Sequence, residues 1–248
     1  MTDLIVPARF NGPARSGNGG FVSGSLAERV STSEPVEVTL RRPPPLDTAM
    51  TLSTDPDGTT TLAVGADVVA TARAVDVVLN AVDVVPPDVA ASAMLGYPGL
   101  VNHPFPTCFA CGPDREDGDG LRIFPGPVGG PSGDRGYVAS VWVPAPAHAE
   151  SSDIVDGVQH CGFGTTWAAL DCVGGWSEDL EGRPCVLGRM TARVDARPVV
   201  GEPHVVVGRF LGRDGRKSFT ASTLYDADGR VVAAARHVWV AVDPSAFG

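Results

Sequence analysis

The chain has 248 residues, 43% of them hydrophobic and 19% charged, with a formal net charge of −10. That composition suits a folded protein with a substantial core, not a disordered chain. Lys217 is the single lysine and no basic cluster occurs, which disfavours nucleic-acid binding, because phosphate must be met by grouped cations. The apolar runs fall short of a bilayer span. "MTDLIVPARF" lacks the basic start and apolar stretch of a secretory signal. A cytoplasmic protein with no membrane partner is therefore expected. The cysteines, Cys108, Cys111, Cys161, Cys172 and Cys185, are odd in number and scattered, unlike a secreted disulfide framework.

The first feature in chain order is "FNGPARSGNGGFVSGSLAERV", residues 10–30. Adjacent glycines are costly inside a helix, so Asn18-Gly19-Gly20 reads as the start of one, the only helix expected in the first hundred residues. At a helix start the backbone N–H groups lack partners, and glycine lets another molecule come close to them. The plainer alternative is a flexible loop before an ordinary core helix. Strands follow, and "DGTTTLAVGADVVATARAVDV" (57–77) parallels "DGRKSFTASTLYDADGRVVAAARHVWV" (214–240). Each opens on Asp-Gly, runs as an alternating strand, turns and returns as a strand rich in Val and Ala, a hairpin signal. Upstream, "VEVTLRRPPPLDTAMTLSTD" and "LGRMTARVDARPVVGEPHVVVGRFLGRD" both read as strand, Pro-containing connection, strand. The acidic, Pro/Gly-rich tract 125–135 is expected to be an exposed loop between the strands "GLRIFPG" and "GYVASVWVP". A second helix is expected in "HCGFGTTWAALDC", where His160 aligns with Asn18, Gly162 with Gly20 and Phe163 with Phe21. Two fused copies of one α+β unit are implied, each sheet covering the apolar face of its helix.

This arrangement resembles the hotdog fold in its double form. "CFACGPDREDGDGLRIF" (108–124) is similar to the opening of many small thioesterase-like hotdog domains. "QHCGFGTTWAALD" and "GNGGFVSGSLAE" resemble degraded forms of the His-Gly-Gly turn that opens the family's central helix. The resemblance implies two hotdog units, 1–107 and 108–248, each a curved antiparallel sheet wrapped around a central helix. It also implies a thioester of coenzyme A or acyl carrier protein bound between the units, and double hotdogs could associate further into a homo-oligomer. A carbonyl under attack becomes an oxyanion, which N–H donors at a helix start can stabilise.

The site residues that follow are Gly162, His160 and Asp171 as catalytic groups, with Asn18, Gly19, Gly20, Asp156, Phe163, Thr166 and Trp167 against substrate. The resemblance places an acidic residue nine positions after the histidine, where this chain has Ala27 and Ala169. Asp171 could recover the role if the helix begins irregularly, or it could simply flank the helix end. A second thioesterase branch uses an Asp with Ser/Thr and Gln partners; Asp153, Asp156, Thr165, Thr166 and Gln159 are the residue types available, without matching spacing. Trp167, Trp176, Phe163, Met190 and Met94 could line an acyl tunnel but read as core. Arginines in "RRPPP", "RPVV" and "GRFLGRDGRK" could meet coenzyme A phosphates, although any single one reads first as a solvated turn residue. Cys108-x-x-Cys111 with His103 nearby is one pair where a structural zinc site wants two, so no metal and no cofactor are expected, and the thiols read as buried at the junction. The function expected is acyl-thioester hydrolysis. The alternatives are a non-catalytic acyl-CoA binder, a hydratase or dehydratase using His160 with Asp156 or Asp171, and a structural partner protein.

Overall fold

The computed structural model describes residues 3–129, 134–155, 157–243 and 245. Its strands are β1 (Asp3–Leu4), β2 (Val36–Leu40), β3 (Met50–Thr54), β4 (Thr60–Val64), β5 (Asp67–Ala74), β6 (Gly126–Val128), β7 (Asp134–Trp142), β8 (Ala149–Val155), β9 (Val158–Cys161), β10 (Cys185–Val194), β11 (His204–Asp214), β12 (Lys217–Tyr225) and β13 (Val231–Ala241). The helices are α1 (Gly19–Ala27), α2 (Pro87–Met94) and α3 (Phe163–Trp176).

Eleven strands form one antiparallel sheet in the order β1-β3-β4-β5-β2-β10-β13-β12-β11-β7-β6. The internal repeat is visible in that order, since β2-β5-β4-β3 on one side mirrors β10-β13-β12-β11 on the other. The halves join where β2 and β10 pair, with Val38 opposite Met190 and Val36 opposite Ala192. The repeated Asp-Gly pairs occupy equivalent turns, Gly58 between β3 and β4 and Gly215 between β11 and β12. Both have positive φ, 85° and 53°, which glycine adopts without strain. In β10 buried positions alternate with more exposed ones, as a half-covered strand requires.

α1 and α3 pack against each other, α1 also against β2, β5 and β10, and α3 against β7 and β10 to β13. Almost every residue of α3 is buried, which is why it carries no polar stripe. One core therefore runs through both halves, with Phe21, Leu26, Trp167, Leu170 and Met190 among its members. The close helix contact rests on glycine. A Cβ on Gly24 would lie 2.6 Å from Phe163 O and 2.7 Å from Trp167 Cβ, and one on Gly20 would lie 2.7 Å from Trp167 O.

Three expectations change. α2 is a second helix in the first hundred residues, started by Pro87 and Asp88 and packed on β6, β7 and β11. "GLRIFPG" is not a strand over most of its length, and β6 begins only at its last residue. The tract 125–135 is not wholly an exposed loop: 125–127 are buried, and 130–133 lie outside the described residues. Among the described residues no helix is long and apolar enough to cross a membrane.

Candidate active site at the start of the first helix

The loop before α1 is pinned by aromatic contacts. Phe10 stacks on Phe21 with ring centroids 3.8 Å apart, and Phe109 meets both rings edge-on. The 105–124 segment is tied to the same loop, because Phe109 N–H donates to Asn11 O at 2.7 Å and Arg115 Nη2 donates to Arg9 O at 2.6 Å. Asn18 is then the helix cap, its Oδ1 accepting from Phe21 N–H at 2.8 Å. That hydrogen bond satisfies one of the donors a helix start leaves open.

Gly20 N–H, the next donor, is taken by the other half of the chain: it donates to Asp171 Oδ2 of α3 at 2.8 Å. Asp171 is fully buried, and its second oxygen, Oδ1, has no hydrogen-bond partner among the described residues. Burial raises its pKa to about 7, against the Gly20 N–H, which lowers it. Asn18, Gly19, Asp171, Cys108 and Cys172 share a cavity of about 270 Å³ with Leu40, Arg41, Leu187 and Trp239. The cavity is therefore composite, with the helix start from one repeat and the carboxylate from the other.

The expected site residues divide between the two ends of the helix pair. Asn18 and Gly19 line the cavity with Asp171, and Gly20 reaches Asp171 through its N–H. His160, Gly162, Phe163, Thr166 and Trp167 do not line it. Gly162 caps α3 nine residues before Asp171, about 14 Å along a helix. His160 is in β9, half-buried, its Nδ1 3.1 Å from Val158 O. Thr166 Oγ1 donates to Gly162 O at 3.0 Å, and Trp167 is core. Asp156 lies outside the described residues. The structure does not bring His160, Gly162 and Asp171 together in one site: Gly162 caps α3, Asp171 sits nine residues further along it, and of the three only Asp171 lines the cavity.

The alignment of His160 with Asn18 is corrected as well. α3 begins at Phe163 and α1 at Gly19, so the caps pair Gly162 with Asn18. Counted from the caps, Asp171 falls nine residues into its repeat and Ala27 occupies the same place in the other. One end of the helix pair holds a carboxylate and the equivalent end holds a methyl group.

The chain aligns with two solved structures over nearly its whole length. One is a protein from Novosphingobium aromaticivorans described as a thioesterase, with a TM-score of 0.62, 14% identity and coverage of 97% of this chain and 95% of that one. Another is the tesB protein of Mycobacterium avium subs paratuberculosis, with a TM-score of 0.58, 13% identity and coverage of 96% and 91%. This is the double-hotdog fold. No family model matches the chain, and no curated protein matches it by sequence. At these identities the likeness establishes the fold of this double hotdog and not its activity.

At the wall of the cavity the double hotdog buries a group of thiols that come from distant parts of the sequence. The Sγ atoms of Cys108, Cys111 and Cys172 lie within 4.8 Å of one another. The Cys111 side chain, Cys172 and the Cys111 backbone N–H hold the Cys108 thiol well below its ordinary range. Burial pushes Cys111 up, and the Cys108 sulfur beside it pushes Cys172 up. No spacing rule joins Cys172 to a Cys-x-x-Cys pair 61 residues earlier; only the packing of α3 against the 105–124 segment does so.

Proposed function

We propose that this double hotdog is an acyl-thioester hydrolase, acting on acyl-CoA or acyl-carrier substrates in the cavity between α1 and α3. One observation carries the reading: Asp171 of one repeat is buried against the helix start of the other, at the wall of a cavity. The thioester carbonyl would approach the start of α1, where the Gly20 N–H goes to Asp171 and the Phe21 N–H to Asn18, leaving the Gly19 N–H for the carbonyl oxygen. Negative charge developing on that oxygen is favoured by the helix dipole. The Asp171 carboxylate takes a proton from water as the water oxygen bonds to the carbonyl carbon. Collapse of the tetrahedral adduct breaks the C–S bond, and the proton passes from Asp171 to the departing thiol. Arg41, exposed at the cavity mouth, is placed to meet a carrier phosphate, whereas Arg42 is paired with Asp67 at 2.8 Å.

A second reading has an observation of its own. The Gly20 N–H is already satisfied by Asp171, as it would be in a chain that binds thioesters without cleaving them. The hydratase reading has no such support, because His160 does not line the cavity. Thiol release across acyl-CoA chain lengths, with direct binding on the same panel, separates the first two. Release that needs Asp171 supports hydrolysis, and binding without release by the wild-type chain supports the binder.

A further inference from the structure

Cys108 Sγ and Cys172 Sγ stand 3.6 Å apart in a fully buried site, with Cys111 Sγ close to both. Tetrahedral zinc with Zn–S bonds of about 2.3 Å sets its sulfurs about 3.8 Å apart, close to the Cys108–Cys172 separation and within the 4.8 Å that bounds the group. Two of the sulfurs come from a tight Cys-x-x-Cys-Gly turn. A Cβ on Gly112 would lie 2.4 Å from Pro106 O and 2.6 Å from Cys108 N, and its N–H donates to Cys108 O at 2.9 Å. The third sulfur is supplied by the middle of α3.

Three donors reach these sulfurs, and the Asp171 carboxylate lies on the same cavity wall. Trp176 Nε1–H donates to Cys111 Sγ at 3.4 Å, and Asn18 Nδ2 reaches Cys108 Sγ at 3.7 Å and Cys172 Sγ at 3.9 Å. His103 Nε2 is 3.3 Å from Cys111 Sγ. Its Nδ1 accepts the Phe105 N–H at 2.9 Å, which puts the imidazole proton on Nε2 and makes His103 a donor to sulfur, not a metal ligand. Donors turned toward sulfur favour thiolate, and metal-bound thiolates are commonly held by such outer hydrogen bonds.

We propose that Cys108, Cys111 and Cys172 bind one zinc ion through three thiolates, with the fourth position facing the cavity that Cys108 and Cys172 line. Soft sulfur ligands select zinc among common divalent ions, and a three-ligand set leaves a position open. Each thiol gives its proton to solvent as its Zn–S bond forms, and no oxidant or reductant takes part. The site goes beyond the thioester reading and stands or falls separately from it.

The test uses the full chain, reduced and kept anaerobic, loaded with Zn²⁺ or Co²⁺ and then desalted. We expect about one metal per chain, and with Co²⁺ a near-ultraviolet thiolate-to-metal band together with tetrahedral visible bands. Cys172→Ser and Cys111→Ser should lose both, while Cys161→Ser, outside the group, should keep them. A folded wild-type chain that retains no zinc and shows no thiolate–cobalt band overturns the proposal, as does retention of the metal by Cys172→Ser. If the serine variants fail to fold, thermal unfolding of the wild-type chain decides: zinc must raise its midpoint, and an unchanged midpoint overturns the site.

Discussion

Asp171 Oδ2 accepts a hydrogen bond from Gly20 N–H at 2.8 Å, joining residues 151 positions apart. The bond crosses from one repeat to the other, so the candidate site exists only when both units are folded and fused. The Asp171→Asn variant tests its chemistry with little change of shape. An amide can still accept from Gly20 N–H through its oxygen but cannot take a proton from water. Turnover should fall at least about a hundredfold, the range a positioned general base supplies, with ligand affinity nearly unchanged. Equal turnover by the two proteins would remove Asp171 from the mechanism.

The helix contact yields a stability prediction independent of activity. Gly24→Ala places a methyl group where Phe163 O and Trp167 Cβ would be 2.6 Å and 2.7 Å away. α1 and α3 must then separate, an overpacking cost of about 1–3 kcal/mol that outweighs alanine's better helix propensity. Denaturant unfolding measures it, and a variant as stable as the wild type would show that the helices can part without loss.

Much of this was legible in the residues. Asp57-Gly58 and Asp214-Gly215 announced equivalent turns because only a few residue types accept the positive φ those turns impose. The start of α1 was legible in Asn18-Gly19-Gly20. Its glycines had a second use that periodicity cannot report, since Gly20 and Gly24 let α3 approach from the far end of the sequence. α2 carries a readable signal in Pro87 and Asp88, Pro opening a helix with an acid in its first turn. The histidine motif, matched residue by residue, points to His160, whereas α3 starts three residues later at Phe163. Partners in space such as Cys172 and the 108–111 pair follow from packing alone.

Acid stability should depend on His237. Its ring is buried beneath α3, with Nδ1 3.1 Å from Thr220 Oγ1 and Nε2 3.5 Å from Ser222 Oγ. Burial lowers its pKa from 6.5 to about 4. The unfolded chain therefore binds a proton between those values that the folded chain refuses. The contribution of His237 is at its full value above about pH 6.5, falls as the pH drops toward 4, and is smaller by about 3 kcal/mol by then. Asp171, its pKa raised to about 7, acts in the opposite sense in both proteins, so the readout is their difference: from pH 7 to pH 5, urea titrations should show wild type losing stability relative to His237→Gln, which cannot take up the proton. Parallel losses in the two proteins would place the acid sensitivity elsewhere, with His148, also lowered to about 4, the next group to replace.

Arg41 separates carrier recognition from chemistry. Its backbone is fixed by an N–H bond to Val69 O at 2.8 Å, and the residue is exposed where the cavity opens. Removing a cation that meets a phosphate deletes a charge-assisted hydrogen bond, a loss of about 1.5–3 kcal/mol, or roughly tenfold or more in affinity. Arg41→Ala should therefore raise KM for acyl-CoA by about that factor and leave kcat unchanged, because the contact is made equally before and during the reaction. With an acyl-N-acetylcysteamine thioester, which has the thioester but no phosphates, the variant and the wild type should behave alike. An Arg41→Ala defect of the same size on both substrates would mean that Arg41 shapes the cavity, and the phosphate contact would have to be sought among the other arginines.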